Sequence, residues 1–152
     1  MSDMQSRLAE FLPYRMAITS SAVSGAIANE YRAQFGLKIS EWRVMAVLGD
    51  AGALTQRDLV GATQMDKVAV NRACKVLEDR GLLQRSPNVA DGRSHHLELT
   101  AQGREIHARI WPQAQEIYED IFAVLTPREV ERLRGLLDKL LGAVRRFEEQ
   151  GK

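Results

Sequence analysis

The chain carries 152 residues, 45% of them hydrophobic and 27% charged, which excludes a disordered or low-complexity protein. Its formal net charge of +1 excludes a uniformly basic nucleic-acid binder, so any DNA affinity has to come from local charge placement. One cysteine, Cys74, excludes an internal disulfide framework and a multi-thiolate zinc site.

The segment 1–12 mixes Asp3, Arg7 and Glu10 with apolar residues and lacks the continuous core of a signal peptide. No apolar run approaches the roughly 18 residues that would span a bilayer. A cytoplasmic protein with no membrane partner is expected.

From Leu8 to Phe35, Phe11, Ile18, Val23, Ile27 and Tyr31 recur at roughly helical spacing, and Gly36 ends the run. Pro13 lies early in it, so the regular helix can begin there rather than at Leu8. Ser40 is placed to cap a second helix bearing Trp42, Met45, Val47 and Leu48, which stops near Gly49 to Gly52. Thr55 with Asp58 three residues later resembles a capping box, opening a short helix with Leu59 and Val60. The stretch from Gly61 to Met65 breaks it, and Asp66 starts another helix that Gly81 stops.

Two short alternating runs follow, Leu82 to Arg85 and His96 to Thr100, around a polar connection with Pro87, Asn88, Asp91 and Gly92. That is a β-hairpin with an extended tip. Thr100 can cap a further helix with Ile106, Ile110, Ala114 and Ile117. Thr126, Pro127 and Glu129 combine a capping side chain, a first-turn proline and a capping-box partner, the clearest start signal in the chain. Beyond them Val130, Leu133, Leu136, Leu137, Leu140, Leu141, Val144 and Phe147 form an apolar stripe.

The expected fold is mainly α with a small β-hairpin wing. A helical segment 1–36 precedes a winged helix-turn-helix at 37–100, and C-terminal helices occupy 101–152. The apolar faces of the first and last helices exceed what the small middle domain can cover, and monomers rarely expose patches beyond a few hundred Å². A two-fold homodimer that interleaves them is expected, against a monomeric bundle that closes the stripes on itself.

In a helix-turn-helix the second helix lies in the major groove, its first residues toward the bases. Here Val68, Ala73, Val76 and Leu77 are assigned to the core. Lys67, Val70, Asn71 and Lys75 are assigned to the outer side, with Arg72 at its edge. Lys or Arg suits guanine, Asn suits adenine, and a small apolar group suits the thymine methyl. On the hairpin, Arg85 lies on the incoming strand and Arg93 at the tip, where an arginine can enter a narrow minor groove. Asp91 has the wrong sign for a phosphate and is expected to orient Arg93. Thr55 and Gln56, opening the preceding helix, and Ser94 on the wing complete the candidate DNA contacts.

The segments Asp66-Lys67-Val68-Ala69-Val70-Asn71-Arg72, Leu77-Glu78-Asp79-Arg80-Gly81-Leu82, Asp91-Gly92-Arg93 and Leu99-Thr100-Ala101-Gln102-Gly103 together resemble the multiple-antibiotic-resistance regulator (MarR) family. The resemblance implies a dimer on a pseudo-palindromic DNA operator, usually repressing. It gives Lys67, Val70, Asn71 and Arg72 the major groove and Arg93 the minor groove. Asp66 and Val70 depart from the small polar residues common at those places.

The same resemblance implies a small aromatic, anionic effector near Arg15 and Ser20, Trp42 and Arg43, and His107 and Trp111. Guanidinium suits a carboxylate, and an indole can stack on a ring. Read alone, Trp42 is a core residue. Two alternatives stand beside this reading, a protein-binding winged-helix module and an oxidation sensor using Cys74. Cys74 also reads as a packing residue. His95 and His96 are adjacent in a strand and His107 lies elsewhere, so neither metal nor cofactor is expected. No P-loop, dinucleotide fingerprint or HExxH is present, and no enzyme is expected.

Overall fold

The computed structural model describes residues 3–88 and 94–151, with side chains from residue 7 onward. The described residues form seven helices and three strands in the order α1 (Asp3–Glu10), α2 (Leu12–Phe35), α3 (Ile39–Ala51), β1 (Leu54–Thr55), α4 (Gln56–Thr63), α5 (Lys67–Asp79), β2 (Leu83–Pro87), β3 (His95–Leu99), α6 (Ala101–Phe122) and α7 (Pro127–Gln150). They form two compact units, Met1–Glu116 and Ile117–Lys152.

The expected first helix is two helices, divided at Phe11, which adopts an extended backbone at the start of α2. Pro13 then occupies the first turn, where its missing N–H costs nothing. Gly36, at φ 65°, closes α2 in the left-handed region that glycine enters without strain. Helix α3 starts two residues before Ser40 was expected to cap it. Lys38 is the N-cap, and its N–H donates to Glu41 Oε1 at 3.1 Å. That bond satisfies an orphan donor with the only buried charged side chain among the described residues.

Helix α5 ends in a Schellman motif. Leu82 N–H donates to Leu77 O and Gly81 N–H to Glu78 O, both at 2.9 Å, with Gly81 at φ 73°. The chain then enters a three-stranded antiparallel sheet of order β1-β3-β2. β2 pairs with β3 from Leu83↔Leu99 to Pro87↔His95. β1 lay outside the sequence reading because two residues carry no periodicity. It exists because Leu54 and Thr55 pair with Leu97 and His96 of β3.

The core of the first unit is a single cluster. Tyr31 of α2, Val44 and Met45 of α3, Leu59 of α4, Val70 and Leu77 of α5, Leu97 of β3 and Ile110 of α6 all meet there. Leu83, Leu97 and Leu99 alternate inward along the hairpin and press it onto the helices. Longer ties reinforce the packing: Arg80 Nη2 donates to Phe35 O at 2.7 Å, and Gln113 Nε2 to Gln34 Oε1 at 3.2 Å.

Thr100 joins the hairpin to α6. Its N–H donates to Leu82 O at 3.1 Å, its hydroxyl to Gly81 O at 2.7 Å, and it accepts from Gly103 N–H at 3.0 Å. The C-terminus of α5 and the N-terminus of α6 thereby share one set of hydrogen bonds.

In the second unit Thr126 and Glu129 form the expected capping box at the start of α7, with bonds of 2.9 and 3.1 Å. Helix α7 buries no residue. Its stripe stays exposed, from 37% at Leu133 to 75% at Phe147. In the first unit the N-terminal half of α2 is similarly bare, with Leu12 at 67% and Ile18 at 48%.

Candidate nucleic-acid interface

The turn between α4 and α5 fixes the presentation of α5. Thr55 caps α4, accepting from Asp58 N–H at 3.1 Å while its own N–H donates to Asp58 Oδ2 at 3.3 Å. Helix α4 runs through Gly61, where a break was expected, to Thr63. The left-handed residue is Gln64, at φ 57°. Its side chain stabilises that conformation by donating from Nε2 to Gly61 O at 2.6 Å. Asp66 then caps α5, accepting from Ala69 N–H at 2.8 Å. Its carboxylate is thus engaged at the positive end of the helix.

The phase of α5 differs from the one expected. Val70, expected to read bases, is fully buried with Ala73, Cys74 and Leu77, the i, i+3, i+4, i+7 set of one helix face. Val68, expected in the core, is 57% exposed, and Val76 is 38% exposed. The sequence presents two competing apolar phases in Lys67–Leu77. The core selects the one in register with α3 and the hairpin, and the first turn of α5 overhangs it. The outward set is therefore Lys67, Val68, Asn71, Arg72 and Lys75, all exposed. Val68 was missed because hydrophobicity alone sent it inward.

Beside this face lies a groove of about 680 Å³, walled by Thr55 of β1, Gln56 and Arg57 from α4, Lys67 and Asn71 from α5, and Arg85, Asn88 and Ser94 from the hairpin. Six of the sequence-derived candidates meet here: Thr55, Gln56, Lys67, Asn71, Arg85 and Ser94. Arg72 and Lys75 lie on the exposed side of the same helix. Gln56 Nε2 is buried and, among the described residues, has no hydrogen-bond partner. Ser94 Oγ accepts from Asn88 Nδ2 at 2.9 Å, tying the hairpin arms together. Asp91 and Arg93 lie outside the described residues. Arg85 is not a bare cation, since its Nε donates to Glu78 Oε1 of α5 at 2.5 Å.

The residues expected to hold an aromatic effector separate. Trp42, His107 and Trp111 come together, with ring centroids 5.5 Å apart between Trp42 and His107 and 6.0 Å between His107 and Trp111. Tyr31, expected only on the apolar face of the first helix, extends the row at 5.6 Å from Trp42. Burial raises the Tyr31 pKa, against smaller downward pulls from Arg32 and from the exposed Arg43. Arg15 instead donates to Ala9 O at 3.4 Å, and Ser20 is exposed on α2. Trp42 is buried, with its ring between Tyr31 and His107.

Burial lowers the His107 pKa below its usual 6.5, against a smaller upward pull from Asp50. The unfolded chain then binds the proton more readily than the folded one, so His107 contributes stability fully above about pH 6.5 and loses it as pH falls through its lower folded pKa. The wild-type melting temperature should therefore fall between pH 7.5 and pH 5 by more than that of His107→Gln. Parallel pH profiles for the two proteins would remove His107 as the source.

Cys74 is fully buried and its thiol is pushed up to about 11, chiefly by burial. It is protonated at neutral pH, the inert state for thiol chemistry. Among the described residues no helix is long and apolar enough to cross a membrane.

A capped helix-turn-helix flanked by a hairpin, with lysine, asparagine and arginine on one exposed face, defines the winged helix-turn-helix class of DNA-binding proteins. Residues 35–94 match the MarR family model. A probable transcriptional regulator from Pseudomonas aeruginosa is 30% identical, covering 88% of this chain and 98% of its own, with a TM-score of 0.77. The chain belongs to the MarR family, and it is a transcriptional regulator rather than an enzyme. An HTH-type transcriptional repressor of Mycobacterium tuberculosis is 28% identical over 131 residues, 86% of this chain and 91% of that protein. Bordetella bronchiseptica BpsR, whose DNA binding is regulated by 6-hydroxynicotinic acid, is 28% identical, with 86% and 98% coverage and a TM-score of 0.76.

Proposed function

We propose that the chain works in the cytoplasm as a homodimeric repressor of transcription on a pseudo-palindromic operator. The observation that carries this reading is the outward face of α5 beside the hairpin groove. Lys67, Asn71 and Arg72 supply the donors that read guanine and adenine, and Val68 supplies the apolar contact for a thymine methyl. Lys75 is positioned for the backbone. By the family resemblance, Arg93 takes the minor-groove contact, with Asp91 as its partner. Two such faces, related by a two-fold axis, match an operator whose half-sites mirror each other.

The bare stripes of α2 and α7 support the dimer, since apolar surface left in water costs about 25 cal/mol per Å². The repressor named in Mycobacterium tuberculosis supports repression. An effector of aromatic-acid chemistry is supported by the row of rings around Trp42, His107 and Trp111 with Arg43 nearby, and by the acid that regulates BpsR. Release follows if the acid separates rings that otherwise pack on one another.

The test is a salt titration on a duplex selected from a random-sequence pool. A dimer neutralising 6–10 phosphates should lose about 10³-fold or more in affinity between 50 and 200 mM salt. A flat dependence would favour a protein partner for the winged helix instead.

A further inference from the structure

Helix α5 carries an acidic residue on the side that faces the wing. Lys67 and Asn71 are one turn apart, and Glu78 lies seven residues beyond Asn71, two turns further along the same stripe. A carboxylate there opposes the phosphate backbone. Its partner is Arg85 of β2, which stands opposite Leu97 in the sheet register. The Arg85 Nε–Glu78 Oε1 distance is 2.5 Å, and both side chains are about one-third exposed, at 37% and 32%.

Three features make this more than a surface ion pair. Arg85 walls the same groove as Lys67 and Asn71. The bond uses Nε, so the two terminal nitrogens keep their N–H donors in a plane that the carboxylate orients. The pair also spans two elements, joining the last turns of α5 to the first strand of the wing.

We infer that Glu78 is a positioning residue for DNA discrimination. It cancels the charge of Arg85 as a phosphate attractor and holds the guanidinium as a directed donor on the groove wall. Attraction to any duplex is reduced, and selectivity among duplexes is gained. This rests on the DNA-binding reading above.

The experiment compares wild type, Glu78→Gln and Arg85→Lys on the pool-selected duplex and on a random duplex, across a salt series. Wild type that prefers neither duplex and shows no salt dependence would defeat the DNA-binding reading itself. Given wild-type discrimination, Glu78→Gln should bind the random duplex more tightly and steepen the log–log salt slope by about 0.9, one added phosphate contact. Its preference for the selected duplex should fall about tenfold, the scale of one directed base contact. Arg85→Lys, with charge kept but the planar fork lost, should also lower the preference. An unchanged slope and preference in Glu78→Gln would overturn the proposal. Equal weakening on both duplexes would also overturn it, by reducing the pair to a clip in the fold. If Glu78→Gln does not fold, the exchanged pair Glu78→Arg with Arg85→Glu keeps the bridge and moves the guanidinium onto α5. Discrimination should then be lost, and its retention would overturn the proposal.

Discussion

Gly103→Ala should destabilise the protein by about 3 kcal/mol or more, lowering Tm by roughly 6–12 °C. A Cβ at this position would stand 2.1 Å from the Leu82 carbonyl oxygen and 3.0 Å from its carbon. Neither atom belongs to a flexible side chain. The same carbonyl accepts from Thr100 N–H at 3.1 Å, and the Gly103 N–H donates to the Thr100 hydroxyl at 3.0 Å. Moving Leu82 therefore also disturbs the junction of α5, the hairpin and α6. The control is Gly135→Ala on α7, where a Cβ meets nothing within 4 Å. That change should be neutral or stabilising, by up to about 1 kcal/mol of helix propensity. Thermal melts followed by circular dichroism separate the two variants. Equal melting temperatures would mean that the close approach at Gly103 carries no cost.

Leu137→Glu with Leu140→Glu should convert the proposed dimer to monomers at micromolar concentration and abolish operator binding. Leu137 and Leu140 are 47% and 50% exposed in the single chain and sit at the middle of the α7 stripe. Covering a leucine contributes about 1.5–3 kcal/mol, and two-fold symmetry counts each substitution twice. Each leucine is already about half covered within the chain, so each substitution removes roughly half of that, and at about 1.4 kcal/mol per tenfold the dimer constant should weaken at least about a hundredfold. Light scattering measures the mass and a mobility shift measures binding. A double variant with unchanged mass and DNA affinity would remove α7 from the interface. Because α7 makes no buried contact within the subunit, loss of folding is not the expected cause of either effect.

Where a signal was local, it was legible. Thr55 with Asp58 and Thr126 with Glu129 cap the helices they were expected to cap, because capping involves only neighbours three residues apart. Gly81 supplies the left-handed stop of α5. The order of helix, turn, helix and hairpin followed from such boundaries, and most of the groove residues came with it. Ser40 misled because it resembles a cap, whereas the glutamate at Glu41 can satisfy the chain one turn back through Lys38. Gly61 misled because a lone glycine is tolerated inside a helix, at a cost of about 1 kcal/mol.

Residue identities and short spacings determined which elements exist, where they are capped and which side chains carry charge. Tertiary packing decided which of two valines on α5 faces outward, that β1 forms at all, that Arg85 is held by Glu78, and that Trp42 stacks between Tyr31 and His107. The division has a physical cause. Capping and turn energies depend on atoms within one turn of the chain, while helix phase, edge pairing and ion pairing depend on surfaces brought together from distant segments.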